Sequence, residues 1–191
     1  LTYKNIFSNA KAIAQYLNIN NNSKPITTLP LHYSFGLSII NSHIIKGSTI
    51  LLTNYSILKK DFWSFLKKYR ATSFSGVPYT FTILKKINFF SKSLPDLKII
   101  TQAGGKLNED LHLQFAEYCN KWGKSFIVMY GQTEASPRMS YLPNKKTIEK
   151  LGSIGLPIPG GRFYLVDSHK KEIKKTDKRG ELVYKGDNVS M

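Results

Sequence analysis

LKIITQAGGKLNEDLHLQFAEYCNKWGKSFIVMYGQTEA, residues 97–135, reads in one pass as strand, loop, helix, strand, loop. Residues 97–102, with Ile99, Ile100 and Thr101 β-branched, predict a strand, and the paired glycines Gly104 and Gly105 break it. Asn108 is placed to cap a helix that ends before Gly123, and residues 126–130 are a second buried strand. Two strands joined by a helix-sized crossover make a βαβ unit. Such units put helices on both faces of a mostly parallel sheet.

The alternation continues on either side of this unit. Upstream, residues 72–75 predict a strand broken at Gly76-Val77-Pro78 and followed by a helix to about residue 87. Residues 57–69 predict a helix with Leu58, Phe62, Phe65 and Leu66 on one face. Residues 49–53 are a β-branched strand, residues 35–46 a helix closed by Gly47, and residues 26–29 a short strand. Residues 2–17 space Ile6, Ala10, Ile13, Ala14 and Leu17 as an amphipathic helix, with Thr2 as its cap. Downstream the character changes: residues 163–166 and 181–184, with a turn at 167–171, predict short antiparallel strands. The expected class is therefore α/β, a mostly parallel sheet flanked by helices with short antiparallel strands at the C-terminal end. Neither an internal repeat nor a linker interrupts it.

A chain of 191 residues is long enough to bury roughly 70% of its unfolded surface in one core. No apolar run reaches membrane-spanning length. The one cysteine, Cys119, rules out an internal disulfide framework and reads as packing, which favours a reducing, cytoplasmic setting. The formal charge of +16 raises the question of nucleic acid. Only four of the 28 basic residues are arginine, and the lysines are scattered rather than set in one stripe, so a solvated basic surface is the stronger reading. No nucleic-acid partner is expected.

In open α/β sheets, ligands bind beyond the carboxyl ends of the strands, so the loops after them are where chemistry is sought. Gln102-Ala103-Gly104-Gly105-Lys106 lets backbone approach a flat or charged ligand closely, because no Cβ intervenes. Tyr130-Gly131-Gln132-Thr133-Glu134 sets a stacking ring, a hydroxyl and a carboxylate in five residues. These suit a base, a phosphate oxygen and magnesium.

The string YGQTE resembles the YGxTE signature of the adenylate-forming superfamily, which includes acyl-CoA synthetases, firefly luciferase and the adenylation domains of peptide synthetases. Five further segments agree in order and spacing, across almost the whole chain. GSIGLPIPGG at residues 152–161 resembles the family's G-x-x-G-x-P-x-P-G turn, and GELVYKGDNVSM at residues 180–191 its G-E-L-x-x-x-G motif. LTYKNI at the start resembles L-T-H-x-N, PLHYSFG resembles P-x-x-H-x-x-G, and QAGGKL falls where the family has its adenine-side glycine loop.

The resemblance implies an acid ligase that uses ATP and Mg2+ to form an acyl-adenylate and pyrophosphate, with CoA or an acyl carrier protein as the usual acceptor. By it, Tyr130 stacks on adenine, Gly104, Gly105 and Lys106 line the other side of the base, and Gly131, Gln132 and Thr133 complete the nucleotide site. Thr133 and Glu134 serve the phosphates, with Glu134 on the metal. Phe35, Gly76, Val77, Pro78 and Ala103 line the acid pocket, with core packing an equal reading for Phe35 and Val77. Tyr33 stands at the usual histidine's position, so either His32 shifts into the site or Tyr33 gates the pocket. Val128 replaces a residue that is polar in many relatives.

The same resemblance implies that residues 1–191 are the central and C-terminal part of an N-terminal AMP-binding domain. The phosphate-binding loop is expected before Leu1, and the ribose-binding aspartate and mobile lid domain with its lysine beyond Met191. A chain without them is expected not to turn over. A non-catalytic adenylate-binding or scaffold module is the first alternative class, and a basic nucleic-acid-binding protein, from net charge alone, the second and weaker one.

Overall fold

Helix α1 (Tyr3–Tyr16) begins at a reciprocal cap: Asn5 N donates to Thr2 Oγ1 at 3.2 Å and Thr2 N donates to Asn5 Oδ1 at 2.7 Å. Two donors that no helical carbonyl can reach are thereby satisfied. The computed structural model describes residues 1–190; Met191, which ends the GELVYKGDNVSM segment, lies outside the described residues. Next come helices α2 (Ser34–Ile44) and α3 (Lys60–Lys68), strand β1 (Ser73–Gly76), helix α4 (Pro78–Lys86), strand β2 (Ile99–Gln102), helix α5 (Glu109–Lys121) and strand β3 (Ser125–Gly131). Asn108 caps α5 by accepting from Leu111 N at 3.2 Å.

Strands β1, β2 and β3 pair in parallel, as the βαβ reading requires. Two antiparallel strands, β4 (Arg138–Leu142) and β5 (Leu156–Pro157), extend that sheet beyond β3. Strands β6 (Arg162–Val166), β7 (Glu172–Ile173) and β8 (Glu181–Lys185) form a separate antiparallel sheet in the order β7-β6-β8. Its β6–β7 turn closes where Asp167 N donates to the Lys171 carbonyl at 2.9 Å.

The strands expected at residues 26–29 and 49–53 form only isolated parallel bridges, Pro25 to Ser73 and Ile26 to Leu51. Side chains interrupt the ladder. Thr53 N donates to Thr27 Oγ1 at 2.9 Å instead of to a carbonyl, and the Thr28 hydroxyl donates to the Ser75 carbonyl. Pro25 contributes no N–H. The two segments still continue the parallel order outward from β1.

Alternation along the strands divides the core. Phe74, Ile100 and Phe126 face α3, α4 and α5, where Phe62, Leu66, Phe81, Leu84 and Phe115 are also buried. Ile127 and Met129 face the other way, toward Phe35 and Ile39 of α2 and toward Ala103. Phe81 joins three elements of the larger cluster, its ring centroid 4.8 Å from that of Phe115 and 5.7 Å from that of Phe126. Each such fully buried ring contributes roughly 1.5–3 kcal/mol. Among the described residues, no helix is long and apolar enough to cross a membrane.

Candidate active site

All three parallel strands end at the same edge, so the loops after β1, β2 and β3 are neighbours there. The Ala103 N–H donates to the Gly76 carbonyl at 3.3 Å, carrying the β1–β2 ladder into the glycine loop. Gln102 Nε2 then donates to the Gly105 carbonyl at 2.9 Å and braces that loop from inside. At Gly104 φ is +80°, and a Cβ there would lie 2.6 Å from the Tyr33 hydroxyl and 3.1 Å from Val77 Cγ1. Glycine is thus required both by conformation and by the approach of Tyr33.

A cleft of about 60 Å³ opens at this edge, lined by Tyr33, Phe35, Ala103, Gly104, Gly131, Gln132 and Thr133 together with Ser34, Pro137 and Arg138. Ser34 Oγ and Thr133 Oγ1 lie 3.0 Å apart, linking the start of α2 to the loop after β3. His32 is exposed and outside the lining, whereas Tyr33 is part of it. Gly76 and Val77 stand behind the wall: a Cβ on Gly76 would meet Thr80 at 2.8 Å, and Val77 packs with Phe35 and Ala103. Tyr130 is half-buried on β3, outside the lining. The exposed Lys106 pairs with Glu109 at 3.3 Å, beside the loop at Gly152. A larger groove of about 750 Å³ between the 27–31 and 52–57 loops contains none of the candidate residues.

The loop after β3 is held by groups distant in sequence. Asn188 Nδ2 donates to the Ala135 carbonyl at 2.6 Å and to the Arg138 carbonyl at 2.9 Å, while its Oδ1 accepts from Tyr184 Oη at 2.8 Å. Ser190 N donates to the Glu134 carbonyl at 2.7 Å. Asn9 of α1 brackets Arg138, donating to its carbonyl at 2.8 Å, and Asn5 donates to the Asp187 and Val189 carbonyls at 2.8 and 2.9 Å. Motif segments 1–6, 130–134 and 180–190 are therefore one hydrogen-bonded unit.

Arg138 is the residue that sequence reasoning missed. It is 2% exposed, its guanidinium carbon lies 4.1 Å from the centroid of the Phe35 ring, and Nη2 donates to Ser38 Oγ at 3.2 Å. Burial lowers its proton affinity below the ordinary value, and burial likewise raises the pKa of the neighbouring Tyr16 phenol. No signal in the string marks Arg138, because an arginine four residues after Glu134 is ordinary until the fold buries it. Burial also pushes the Cys119 thiol up to about 12, which leaves it protonated and unreactive. Lys124 is buried as a structural donor, to the Leu94 and Leu97 carbonyls at 2.8 and 2.7 Å.

The sequence profile of the AMP-binding enzyme family matches residues 1–191. The chain belongs to the AMP-binding enzyme family. Among its relatives, an oxalate–CoA ligase of Arabidopsis thaliana is 26% identical, with 100% of this chain aligned to 37% of that protein. A luciferin 4-monooxygenase of Nipponoluciola cruciata is 27% identical over 97% of this chain and 34% of its own, and a long-chain-fatty-acid–CoA ligase of Salmonella typhimurium is 29% identical over 100% and 34%. The chain thus spans about a third of the length of these relatives. The O-succinylbenzoate coenzyme A synthetase of Bacillus subtilis, solved in complex with ATP and magnesium, superposes with a TM-score of 0.84 at 25% identity, over 99% of this chain and 38% of that one. The N-terminal domain of FACL13 from Mycobacterium tuberculosis shares the fold, with a TM-score of 0.87 at 18% identity over 99% and 47%.

The donor set here fits what an AMP-binding enzyme would hold. Gly104 and Gly105 leave exposed backbone toward one side of a planar base. Glu134 is an exposed carboxylate, and among the described residues no three or more His, Cys, Asp and Glu side chains gather as a metal site. Magnesium is usually held by one or two carboxylates plus substrate phosphates, so a single carboxylate is enough.

Proposed function

We propose that residues 1–191 form the central and C-terminal part of an N-terminal AMP-binding domain in a carboxylic acid ligase. The observation that carries this reading is the cleft itself, where Tyr33 just before α2 and Phe35 in its first turn meet Gly104 from the β2 loop and Gly131 to Thr133 from the β3 loop. One attacking oxygen of the acid's carboxylate forms a bond to the ATP α-phosphorus. The bridging bond to the β-phosphate breaks and pyrophosphate leaves, giving the acyl-adenylate. A thiol then displaces AMP from the acyl carbon, and CoA is its best candidate because several relatives are named as CoA ligases.

The chain's own residues contribute positioning and charge rather than a nucleophile. Tyr130 offers its ring to the base opposite the Gly104-Gly105 backbone, with Lys106 at the rim. Thr133, oriented by Ser34, offers its hydroxyl to a phosphate oxygen, and Glu134 would hold magnesium, which supplies neutralisation of phosphate charge when bound. Tyr33, not His32, is the side chain that reaches the acid. Phe35 and Ala103 enclose it, with Val77 and Gly76 supporting the wall. The phosphate loop and the lid lysine belong to other segments of the same ligase. A cytoplasmic setting belongs to this reading, given that Cys119 is a buried free thiol.

Acid-dependent exchange of labelled pyrophosphate into ATP tests the reading, on the complete polypeptide that carries this sequence. Exchange is expected with at least one acid and is lost in Glu134→Ala; full exchange in that variant removes Glu134 from the site. AMP binding with no exchange for any acid would instead establish the scaffold alternative.

A further inference from the structure

Arg138 is a buried cation without a counter-anion. No carboxylate of the described residues pairs with it, its Nε has no hydrogen-bond partner, and its remaining side-chain polar contacts are Ser38 Oγ, the Met129 sulfur and the phenol of Tyr16, whose pKa burial raises. A buried charge is expensive to hold unless it is paired or used. The side chain borders two adjoining spaces. One is the cleft of about 60 Å³, and the other a pocket of about 20 Å³ whose lining includes Ser42, His43, Ser75 and Thr101. That second lining is mixed: Ile13, Ile39 and Ile99 supply apolar surface, while Ser75 Oγ and Thr101 Oγ1 are 2.8 Å apart and His43 Nδ1 lies 2.8 Å from the Ile39 carbonyl, so these polar groups are already paired. Neither space admits a long acyl tail.

Resting on the proposed ligase activity, we infer that the activated substrate is a short dicarboxylic acid. One carboxylate lies in the cleft as the reacting group, and the other pairs with Arg138 at the cleft floor. A guanidinium presents a planar fork of donors matched to a carboxylate, and Nε is one tine of that fork. Phe35, against which the guanidinium is stacked, fixes its plane and covers it from solvent. The alternative, that Arg138 only packs on Phe35 and Ser38, makes no distinction between one and two carboxylates.

Pyrophosphate exchange of the complete polypeptide decides between them, using oxalate, malonate, succinate and glutarate, their monoamides, and acetate, propionate and butyrate. The diacid of best-fitting length is expected to exceed its own monoamide in kcat/KM by roughly 10²-fold, because the neutral amide forfeits the charge-assisted bidentate pair with Arg138 but still offers one oxygen as acceptor. In Arg138→Met that ratio is expected to fall to about one, chiefly through KM for the diacid, with Arg138→Lys in between. Equal wild-type rates for diacid and monoamide, or a ratio that survives Arg138→Met, overturns the inference. Should circular dichroism show the Met variant unfolded, the wild-type comparison alone decides. Exchange with monoacids only refutes the diacid while leaving the ligase intact; no exchange with any acid removes both.

Discussion

At Gly131 a Cβ would sit 1.9 Å from the Pro137 carbonyl oxygen and 2.9 Å from its carbon, where β3 and β4 shift register. Backbone, unlike a flexible side-chain tip, cannot step aside, so we expect Gly131→Ala to cost at least about 2 kcal/mol, read as a lower urea midpoint. Asn188 is a second such position. Truncation to Ala strips the Ala135 carbonyl of this donor, while the Arg138 carbonyl keeps its bond from Asn9, so we expect about 1–3 kcal/mol in the same measurement, the cost of one buried group left unpaired. The two differ in how they could be read from sequence. Gly131 stands inside a five-residue string whose order is itself diagnostic, so its neighbourhood was legible. Asn188 acts on carbonyls some 50 positions away, and an asparagine in a polar tail carries no mark of that. Arg138 was illegible for the same reason: only the fold makes it a buried cation.

Elements with a period and a cap were legible, and those defined by a partner were not. Thr2 and Asn108 carry side chains that satisfy the helix starts in place, so α1 and α5 begin where the sequence puts them. Strand β4 was not foreseen, because RMSYL, although it follows the turn signal Ser136-Pro137, is only five residues long and is made a strand by pairing with β3. Residues 26–29 and 49–53 have the composition of strands, yet the Thr27 hydroxyl takes the place of a ladder carbonyl and the Thr28 hydroxyl that of a ladder N–H, which reduces them to bridges. The α4–α5–β3 junction depends instead on shape. Phe81 is fully buried between Phe115 and Phe126, so Phe81→Ala should remove roughly 3–5 kcal/mol. Near-ultraviolet circular dichroism during urea unfolding checks this, with the aromatic signal lost ahead of the far-ultraviolet signal if the helices loosen from the sheet before they melt.

For the molecule as a whole, acid should be more damaging than base. His43 and His112 are 4% and 1% exposed, and burial holds the pKa of each below the ordinary imidazole value near 6.5. Between the folded and unfolded pKa values the unfolded chain binds the extra protons, so stability rises with pH across that window. Their contribution is complete above about pH 6.5, falls as the pH drops below it, and levels off once both folded-state pKa values are passed. The formal charge of +16 acts in the same direction, since protonating carboxylates in acid only enlarges the repulsion among 28 basic side chains. The two causes separate by salt. Repulsion between exposed lysines is screened within a Debye length of about 10 Å at 0.1 M, whereas protonation of a buried imidazole is screened far less. We therefore expect the urea midpoint to fall between pH 7.5 and pH 5 at low salt, and to recover only in part when salt is raised at pH 5. In a His43→Gln, His112→Gln double variant the fraction that salt does not restore should shrink. An unchanged unrestored fraction would transfer the acid sensitivity to groups other than the two histidines.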